Sequence, residues 1–196
     1  MRPTGTAGPA TKRWPISAGV ARGASLATVM VSLFPLGPPA AAQDVQNDKA
    51  ELLFHIAQFI EWPSQLSKQN QFTFAILGED ELASVLAATM SQKSINGKSI
   101  FVRCIRRPAD ARDCHILFIA GSDEKRIPEV LNALRGTSVL TVADTVGFAA
   151  QGGMVDFLLE DSKVRFEINR EQAKRARLKI SAKLLALAQI VVHQEP

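Results

Sequence analysis

The sequence predicts an α/β fold, in which a mainly parallel open sheet with flanking helices ends in an antiparallel hairpin and a C-terminal helix. Between residues 72 and 144, short apolar runs rich in β-forming residues alternate with segments of helical spacing. The run HILFIAG at 115–121 is almost entirely apolar, which is typical of a strand covered on both faces. Residues 154–169 alternate as two strands do on either side of a polar turn.

The first 42 residues indicate a secretory signal peptide. Four basic residues and no acidic ones precede or adjoin an apolar stretch at 24–37, and the small residues 40–42 follow it. The stretch is only about 14 residues long and contains Pro35, whereas a membrane-spanning helix needs roughly 20. We therefore favour a signal peptide at 1–42, cleaved near Ala42, over a single membrane anchor, and expect one exported domain at 43–196.

The leader also explains the net positive charge of the chain. The whole sequence has 23 Lys and Arg against 19 Asp and Glu, and the leader holds four of the basic residues. The domain itself is therefore net neutral, so its charge does not favour nucleic acid binding. Three scattered histidines and the lack of a zinc-type cysteine spacing argue against a metal site, and no cofactor is predicted.

The elements of the domain follow from local patterns of apolar, capping and turn residues. In chain order we expect a helix at 47–62 capped by Asn47 and stopped by Pro63, a strand at 72–78, a helix at 80–92 for which Asp80 is a cap, a turn at Asn96-Gly97, strands at 99–107 and 115–121, a helix at 127–134, a strand at 138–144 and turns at 146–153.

The C-terminal part begins with the hairpin at 154–169, which turns at 160–163. Asn169 and Gln172 then form a capping-box pattern at the start of a segment that forms one helix or two. Basic residues at 170, 174, 175 and 177 give this segment a positive face. We interpret it as a solvated face, or as a contact for an acidic partner.

Open α/β sheets bind ligands beyond the carboxyl ends of their strands, where the strand order reverses. The predicted strand ends carry small and polar residues that form a candidate crevice for a ligand or a partner. These residues are Gly78, Glu79, Gly121, Ser122 and Asp144, together with Gly152 and Gly153 in the turn region. The glycine pair could present backbone N–H groups to an anion, but it lacks the spacing of a nucleotide-binding loop, and a plain turn is the favoured interpretation.

Cys114 and His115 are adjacent, but neighbouring side chains of a strand point to opposite faces, so they do not form a catalytic dyad. We interpret Cys114 as a half-cystine or a small core residue, and His115 as a residue that caps or packs at the sheet edge. No catalytic residue is predicted. In an exported protein, Cys104 and Cys114 are candidates for a disulfide, and the bonded and free states both remain open.

With these segments in place, the chain resembles the YfiR family of exported bacterial proteins over nearly all of the domain. The resemblance lies in KAELLFHIAQFIEWP at 49–63, then FAILGED, CHILFIAG and SVLTVAD, and above all in the block from GFAAQGGMVDFLLED to SAKLLALAQIV. Two features differ. Phe54-His55 stands where the family often has Tyr-Asn, and the first strand lacks the family's frequent cysteine, which leaves Cys104 as the one substitute partner for Cys114.

The resemblance implies a periplasmic repressor that contacts the periplasmic domain of an inner-membrane signalling protein of the diguanylate cyclase type. An outer-membrane-associated lipoprotein would sequester it, and it would form a homodimer. On this interpretation the protein is a regulator of cyclic-di-GMP signalling rather than an enzyme. We expect no integral membrane segment after removal of the leader. The alternative is a periplasmic small-ligand-binding module. A regulator should expose an apolar or charged patch beside its first or last helix, whereas a ligand binder should have a pocket of several hundred Å³.

Overall fold

An eight-stranded sheet lies at the centre of the fold. The computed structural model describes residues 40–161, 163–188 and 190–192. The helices are α1 (Ala40–Gln58), α2 (Ser64–Ser67), α3 (Leu82–Met90), α4 (Ile127–Ala133), α5 (Arg170–Arg175) and α6 (Ala182–Leu187). The strands are β1 (Ile60–Glu61), β2 (Gln71–Leu77), β3 (Ser94–Ile95), β4 (Lys98–Ile105), β5 (Ile116–Ile119), β6 (Leu140–Ala143), β7 (Val155–Glu160), β8 (Lys163–Asn169), β9 (Lys179–Ile180) and β10 (Ile190–Val192).

The sheet has the strand order β10-β8-β7-β6-β5-β2-β4-β3. The pairs from β4 through β2, β5 and β6 to β7 are parallel, as is the pair of β8 with β10, whereas β7–β8 and β3–β4 are antiparallel. A separate two-stranded ladder joins β1 to β9. The predicted α/β class, with a mainly parallel sheet and a late antiparallel hairpin, is confirmed.

The strand order reverses between β2 and β5. The chain leaves β2 through α3 to reach β4 on one side, and leaves β5 through α4 to reach β6 on the other. In the parallel register, Leu77 of β2 lies beside Ile119 of β5. The residues that follow these two strands therefore emerge side by side, at the position where such sheets place their ligands.

Two apolar cores fill the two faces of the sheet. Ile116 and Phe118 of β5 belong to the larger core with α1 and α3, while Leu117 and Ile119 belong to the smaller core with α4. Because successive side chains of a strand alternate between faces, the continuous apolar run at 115–121 is what a doubly covered strand requires. All four strand residues are buried, as predicted.

The first helix begins and ends earlier than the sequence predicts. It starts at Ala40, within an alanine run that favours helix, so that Asn47 lies inside the helix and does not cap it. It ends at Gln58 because Ile60 and Glu61 leave the helix to pair with β9. The predicted leader lies outside the described residues apart from 40–42, and its cleavage remains a prediction.

The C-terminal segment forms two short helices and not one. Asn169 caps α5 as predicted, since its Oδ1 accepts a hydrogen bond from the Gln172 N–H at 3.0 Å. Arg177 has a φ of 62°, which ends the helical path. Residues 179–180 then extend as β9, and α6 follows with Ser181 as its N-cap.

Candidate functional site

A cleft of about 900 Å³ lies beyond the carboxyl ends of β2, β4 and β5, next to the point where the strand order reverses. We call it the switch-point cleft. Its lining residues are Gly78, Glu79, Asp80, Cys104, Ile105, Arg106, Ser122, Asp123 and Arg126. Three of the predicted crevice residues, Gly78, Glu79 and Ser122, therefore meet in one cleft.

Gly78 is required by the close approach of two loops at this cleft. Its φ is +96°, a conformation that residues with a side chain rarely adopt. A Cβ atom at this position would lie 2.3 Å from Asp123 Oδ2 and 2.7 Å from Ser122 Oγ. The missing side chain lets the loop after β5 pack against the end of β2.

The charged groups of the switch-point cleft are arranged in pairs and caps. The Arg126 guanidinium donates to Asp123 Oδ1 at 2.8 Å and to the Arg106 carbonyl at 3.1 Å, and its hydrogen bonds to Glu129 and Asp123 raise its pKa. Asp80 Oδ1 accepts from the Leu82 N–H at 2.8 Å, so it caps α3 as predicted. This arrangement can bind a polar molecule, and within it the Ser122 hydroxyl donates to Asp123 Oδ2 at 3.1 Å.

Gly121 and Asp144 lie at neighbouring strand ends outside that cleft. A Cβ on Gly121 would be 3.9 Å from Asp144 Oδ1, so these two predicted residues are close together. Asp144 forms an ion pair with Lys49 of α1 at 2.5 Å, and both side chains are mostly buried. The carboxylate therefore anchors the first helix to the end of β6, a role that the sequence did not reveal.

The glycine pair at 152–153 is separated from the other predicted crevice residues. A Cβ on Gly153 would overlap the Phe148 ring at 2.2 Å, so Gly153 serves the packing of the turn region. Gly152, with a φ of +101°, lines a different cavity. Their backbone N–H groups donate within the turn, to Phe148 and Ala149 carbonyls.

His115 is buried just before β5, at the opposite end of that strand from the switch-point cleft. Its Nδ1 accepts from the Thr73 N–H at 3.2 Å, and its Nε2 donates to the Leu66 carbonyl at 3.2 Å. The ring stacks on Phe72 with centroids 4.2 Å apart. Burial lowers its pKa to about 4, which keeps the imidazole neutral. His115, Glu79 and Asp144 thus do not converge on one cleft.

The two cysteines are free thiols in the structure, Cys114 buried and Cys104 exposed. Cys104 lies on β4, where it pairs with Ile76 of β2, and Cys114 lies just before β5. Because β2 lies between β4 and β5 in the sheet, one strand separates the two cysteines. Cys114 is a small core residue. Burial raises the pKa of its thiol, and an Arg103 guanidinium nitrogen lies 3.1 Å from the sulfur.

A second concave surface, which sequence reasoning missed, lies beside the first helix. We call it the apolar groove, a cavity of about 460 Å³ lined by Val45, Lys49, Asp144, Val146, Phe157, Leu158, Leu159, Glu160 and Val164. Val146 is 85% exposed and Leu159 is 61% exposed. Leu159 alternates with Val155 and Phe157 along β7, but those two residues are buried and Leu159 is not. An apolar Val146 within a turn region was the one signal in the sequence.

Asp156 of β7 is a fully buried carboxylate that the sequence analysis also missed. Its Oδ2 accepts from the Phe148 N–H at 3.0 Å, whereas Oδ1 has no hydrogen-bond partner among the described residues. Burial raises its pKa to about 6, and the nearby Glu167 adds to the increase, while the backbone N–H groups at 147–149 oppose it. The turn at 146–153 is therefore folded around a carboxylate.

Within the described part of the chain, no helix is both long and apolar enough to cross a membrane. The same residues contain no cluster of three or more His, Cys, Asp or Glu side chains that could hold a metal ion.

Comparison with known proteins adds a family and two fold relatives. A protein-family model described as YfiR/HmsC-like matches residues 46–189. The chain is similar to the crystal structure of a conserved domain protein from Vibrio cholerae O1 biovar El Tor, with a TM-score of 0.53 and 11% identity. It is also similar to an ABC domain in complex with L-Trp from Streptococcus pneumoniae, with a TM-score of 0.50 and 9% identity. Each match covers 75% of this chain and 60% of the other, and at these identities it shows the fold alone.

Proposed function

The chain belongs to the YfiR/HmsC-like family, and on that premise we propose that it is a periplasmic regulator that represses or tunes a membrane-bound signalling enzyme by direct contact. The enzyme would be of the diguanylate cyclase type, contacted through its periplasmic domain. The proposal retains a homodimer and an outer-membrane lipoprotein as further partners, and it assigns no catalytic step to this chain.

The apolar groove is the observation that carries this proposal. It lies beside α1, where a regulator was expected to expose a patch, and it presents Val146 and Leu159 to solvent. Exposed apolar side chains that share one concavity are typical of protein contact sites. A partner segment that inserted an apolar side chain here would remove both residues from water.

Charged residues at the rim of the groove would orient a bound partner. Lys49 and Asp144 form their ion pair at one side, and Glu160 lies at the other. Charged groups around an apolar centre favour one orientation of a partner over others. By binding one conformation of the sensor more tightly than another, the protein would hold the enzyme in that conformation. The shift in the free-energy difference between the two conformations is set by the difference between the two binding free energies.

The test is affinity capture of the tagged protein from crosslinked cells, followed by mass spectrometry. Wild type should recover a membrane protein with a periplasmic sensor and a diguanylate cyclase domain. Val146→Asp and Leu159→Asp should each reduce that recovery about tenfold or more, because each places a charge in the desolvated centre of the contact. Phe101→Asp is the matched control, since Phe101 is an exposed apolar residue on β4, outside the groove.

Recovery that is equal for the groove variants and wild type would exclude the groove as the contact. Recovery of nothing above an unrelated exported protein would favour the second candidate function, a small-ligand-binding module. The switch-point cleft supports that candidate, because its volume of about 900 Å³ suits a metabolite-sized molecule. Native mass spectrometry of the protein isolated from the periplasm should then show a retained small molecule, which Cys104→Trp would displace by filling one wall of the cleft.

A further inference from the structure

A third concave surface, of about 490 Å³, lies at the amino ends of β6 and β7, at the opposite end of these parallel strands from Asp144. We call it the basic cleft and define it by Arg135, Thr141, Gln151, Gln172 and Arg175. Arg135 follows α4, and Gln172 and Arg175 belong to α5, so the cleft is bounded by two separate helices.

The charged side chains that line this cleft are all basic. Its lining includes the guanidinium groups of Arg135 and Arg175 and no carboxylate. Within the described residues, neither guanidinium forms an ion pair or a hydrogen bond. The domain at 43–196 has equal numbers of acidic and basic residues, so general basicity does not explain two unpaired arginines in one concavity. Arginine's planar set of N–H donors matches the oxygens of carboxylates and phosphates.

Thr141 adds a neutral donor to the cleft. It is 2% exposed, and its Oγ1 accepts a hydrogen bond from the Met154 N–H at 3.2 Å. A hydroxyl can donate one hydrogen bond as well as accept two. No described residue accepts the Thr141 proton, so a ligand oxygen in the cleft would supply the missing acceptor.

The two walls are fixed relative to each other. The Arg177 guanidinium, just after α5, donates to the Gly136 carbonyl at 3.1 Å, which ties α5 to the turn that carries Arg135. Gly136 has a φ of +75°, and the Thr137 hydroxyl closes the same turn by donating to the Leu134 carbonyl at 2.7 Å. A ligand would therefore meet arginines on a positioned framework, which lowers the entropic cost of binding.

We propose that the basic cleft binds a small organic anion through a phosphate or carboxylate group held between Arg135 and Arg175. The Thr141 hydroxyl donates to the same group, and the apolar side chains of Leu131 and Met154 contact the rest of the molecule. This site goes beyond the proposed regulatory contact. It uses none of the residues of the apolar groove, so either proposal can fail alone.

The test is an NMR titration of the purified protein with inorganic phosphate and, in a separate arm, with citrate, both at constant ionic strength. Saturable shifts are expected for the amides of Gly136, Gln151 and Gly152. Arg135→Gln and Arg175→Gln should each weaken binding about tenfold or more, because each removes charge-assisted hydrogen bonds. Arg170→Gln is the matched control. It removes the same charge from an exposed position on the same helix, outside the cleft lining, and should change the affinity less than about twofold.

Saturation by phosphate alone would identify the ligand group as a phosphate, and saturation by citrate alone would identify it as a carboxylate. The proposal is overturned if neither anion saturates, or if the shifts are spread over all basic surfaces. It is also overturned if Arg170→Gln weakens binding as much as the cleft variants do, since the attraction would then be a general effect of charge. Thermal unfolding of each variant shows that the compared proteins are equally folded.

Discussion

His115 and Asp156 are both buried titratable residues, the first just before β5 and the second on β7, yet their surroundings differ. His115 has a partner for each ring nitrogen, and its own carbonyl accepts from Trp62 Nε1 at 3.3 Å. Asp156 has a backbone donor for Oδ2 and none for Oδ1, and it lies directly across the hairpin from Glu167. All hydrogen-bonding groups of a neutral His115 ring therefore have a partner, whereas one carboxylate oxygen of Asp156 has none among the described residues.

The difference follows from the charge that each group carries near pH 7. A neutral imidazole needs one donor and one acceptor, and burial lowers the pKa of His115 to about 4, which keeps it neutral. An ionised carboxylate has about four acceptor positions to satisfy, and burial raises the pKa of Asp156 to about 6. We infer that the first site stabilises the fold at neutral pH, and that the second makes the turn at 146–153 sensitive to pH.

The strongest test of this comparison is His115→Ala. The substitution removes the ring that stacks on Phe72 and leaves the Thr73 N–H without its partner, while the Leu66 carbonyl still accepts from the Gln69 N–H at 3.1 Å. We expect the free energy of unfolding, measured in urea at pH 7, to fall by about 3–5 kcal/mol, from a core cavity together with a buried backbone N–H that loses its acceptor.

The matched control is His55→Ala, because His55 is an exposed histidine on α1. It should change the free energy of unfolding by less than about 0.5 kcal/mol. A loss below about 1 kcal/mol for His115→Ala would mean that the hydrogen bonds of the histidine contribute little, and the contrast with Asp156 would then disappear.

A second test changes the turn that surrounds Asp156 without touching the carboxylate. Gly153→Ala places a methyl group against the Phe148 ring, whose residue supplies the N–H bound to Asp156 Oδ2. The ring must move, and we expect a loss of about 1–3 kcal/mol in urea unfolding. Gly121→Ala is the control, since its added methyl group meets only ordinary contact at 3.9 Å. Equal losses in the two variants would show that the turn accommodates the shift freely.

The sequence predicted the parts of the molecule that depend on local patterns. The apolar runs predicted the strands β2, β5 and β6, and the rule that ligands bind beyond strand ends predicted that Gly78, Glu79 and Ser122 share one crevice. Asp156 and the apolar groove depend instead on which surfaces cover which. Asp156 alternates with the apolar residues Val155 and Phe157 along β7, a pattern that predicts a solvent-facing side chain. The turn at 146–153 folds over that face of the hairpin and buries the aspartate. The early end of α1 has the same cause, since its pairing partner β9 lies more than 100 residues away in the chain.

The smallest expected effect, and the most specific, is the pH dependence of Asp156→Asn. The folded-state pKa of Asp156 lies near 6, above its ordinary 3.8, so its contribution to stability is complete below pH 3.8 and is lost as pH rises through 6. The folded-state pKa of His115 lies near 4, below its ordinary 6.5, so its contribution is complete above pH 6.5 and is lost as pH falls through 4. Between pH 4 and 6 the two slopes have opposite signs and offset each other in the wild type.

Asp156→Asn removes one of these slopes and leaves the other. Relative to wild type, the free energy of unfolding of the variant should decline by about 1 kcal/mol for each pH unit from pH 6 down to pH 4, measured by urea unfolding at a series of pH values. Glu167→Gln is the control, because it removes the neighbouring charge and keeps the buried carboxylate, and it should lower the pKa of Asp156 without abolishing the slope. Parallel curves for Asp156→Asn and wild type would show that Asp156 does not titrate in this range. The inferred pH sensitivity of the turn at 146–153, and with it the contrast with His115, would then be wrong.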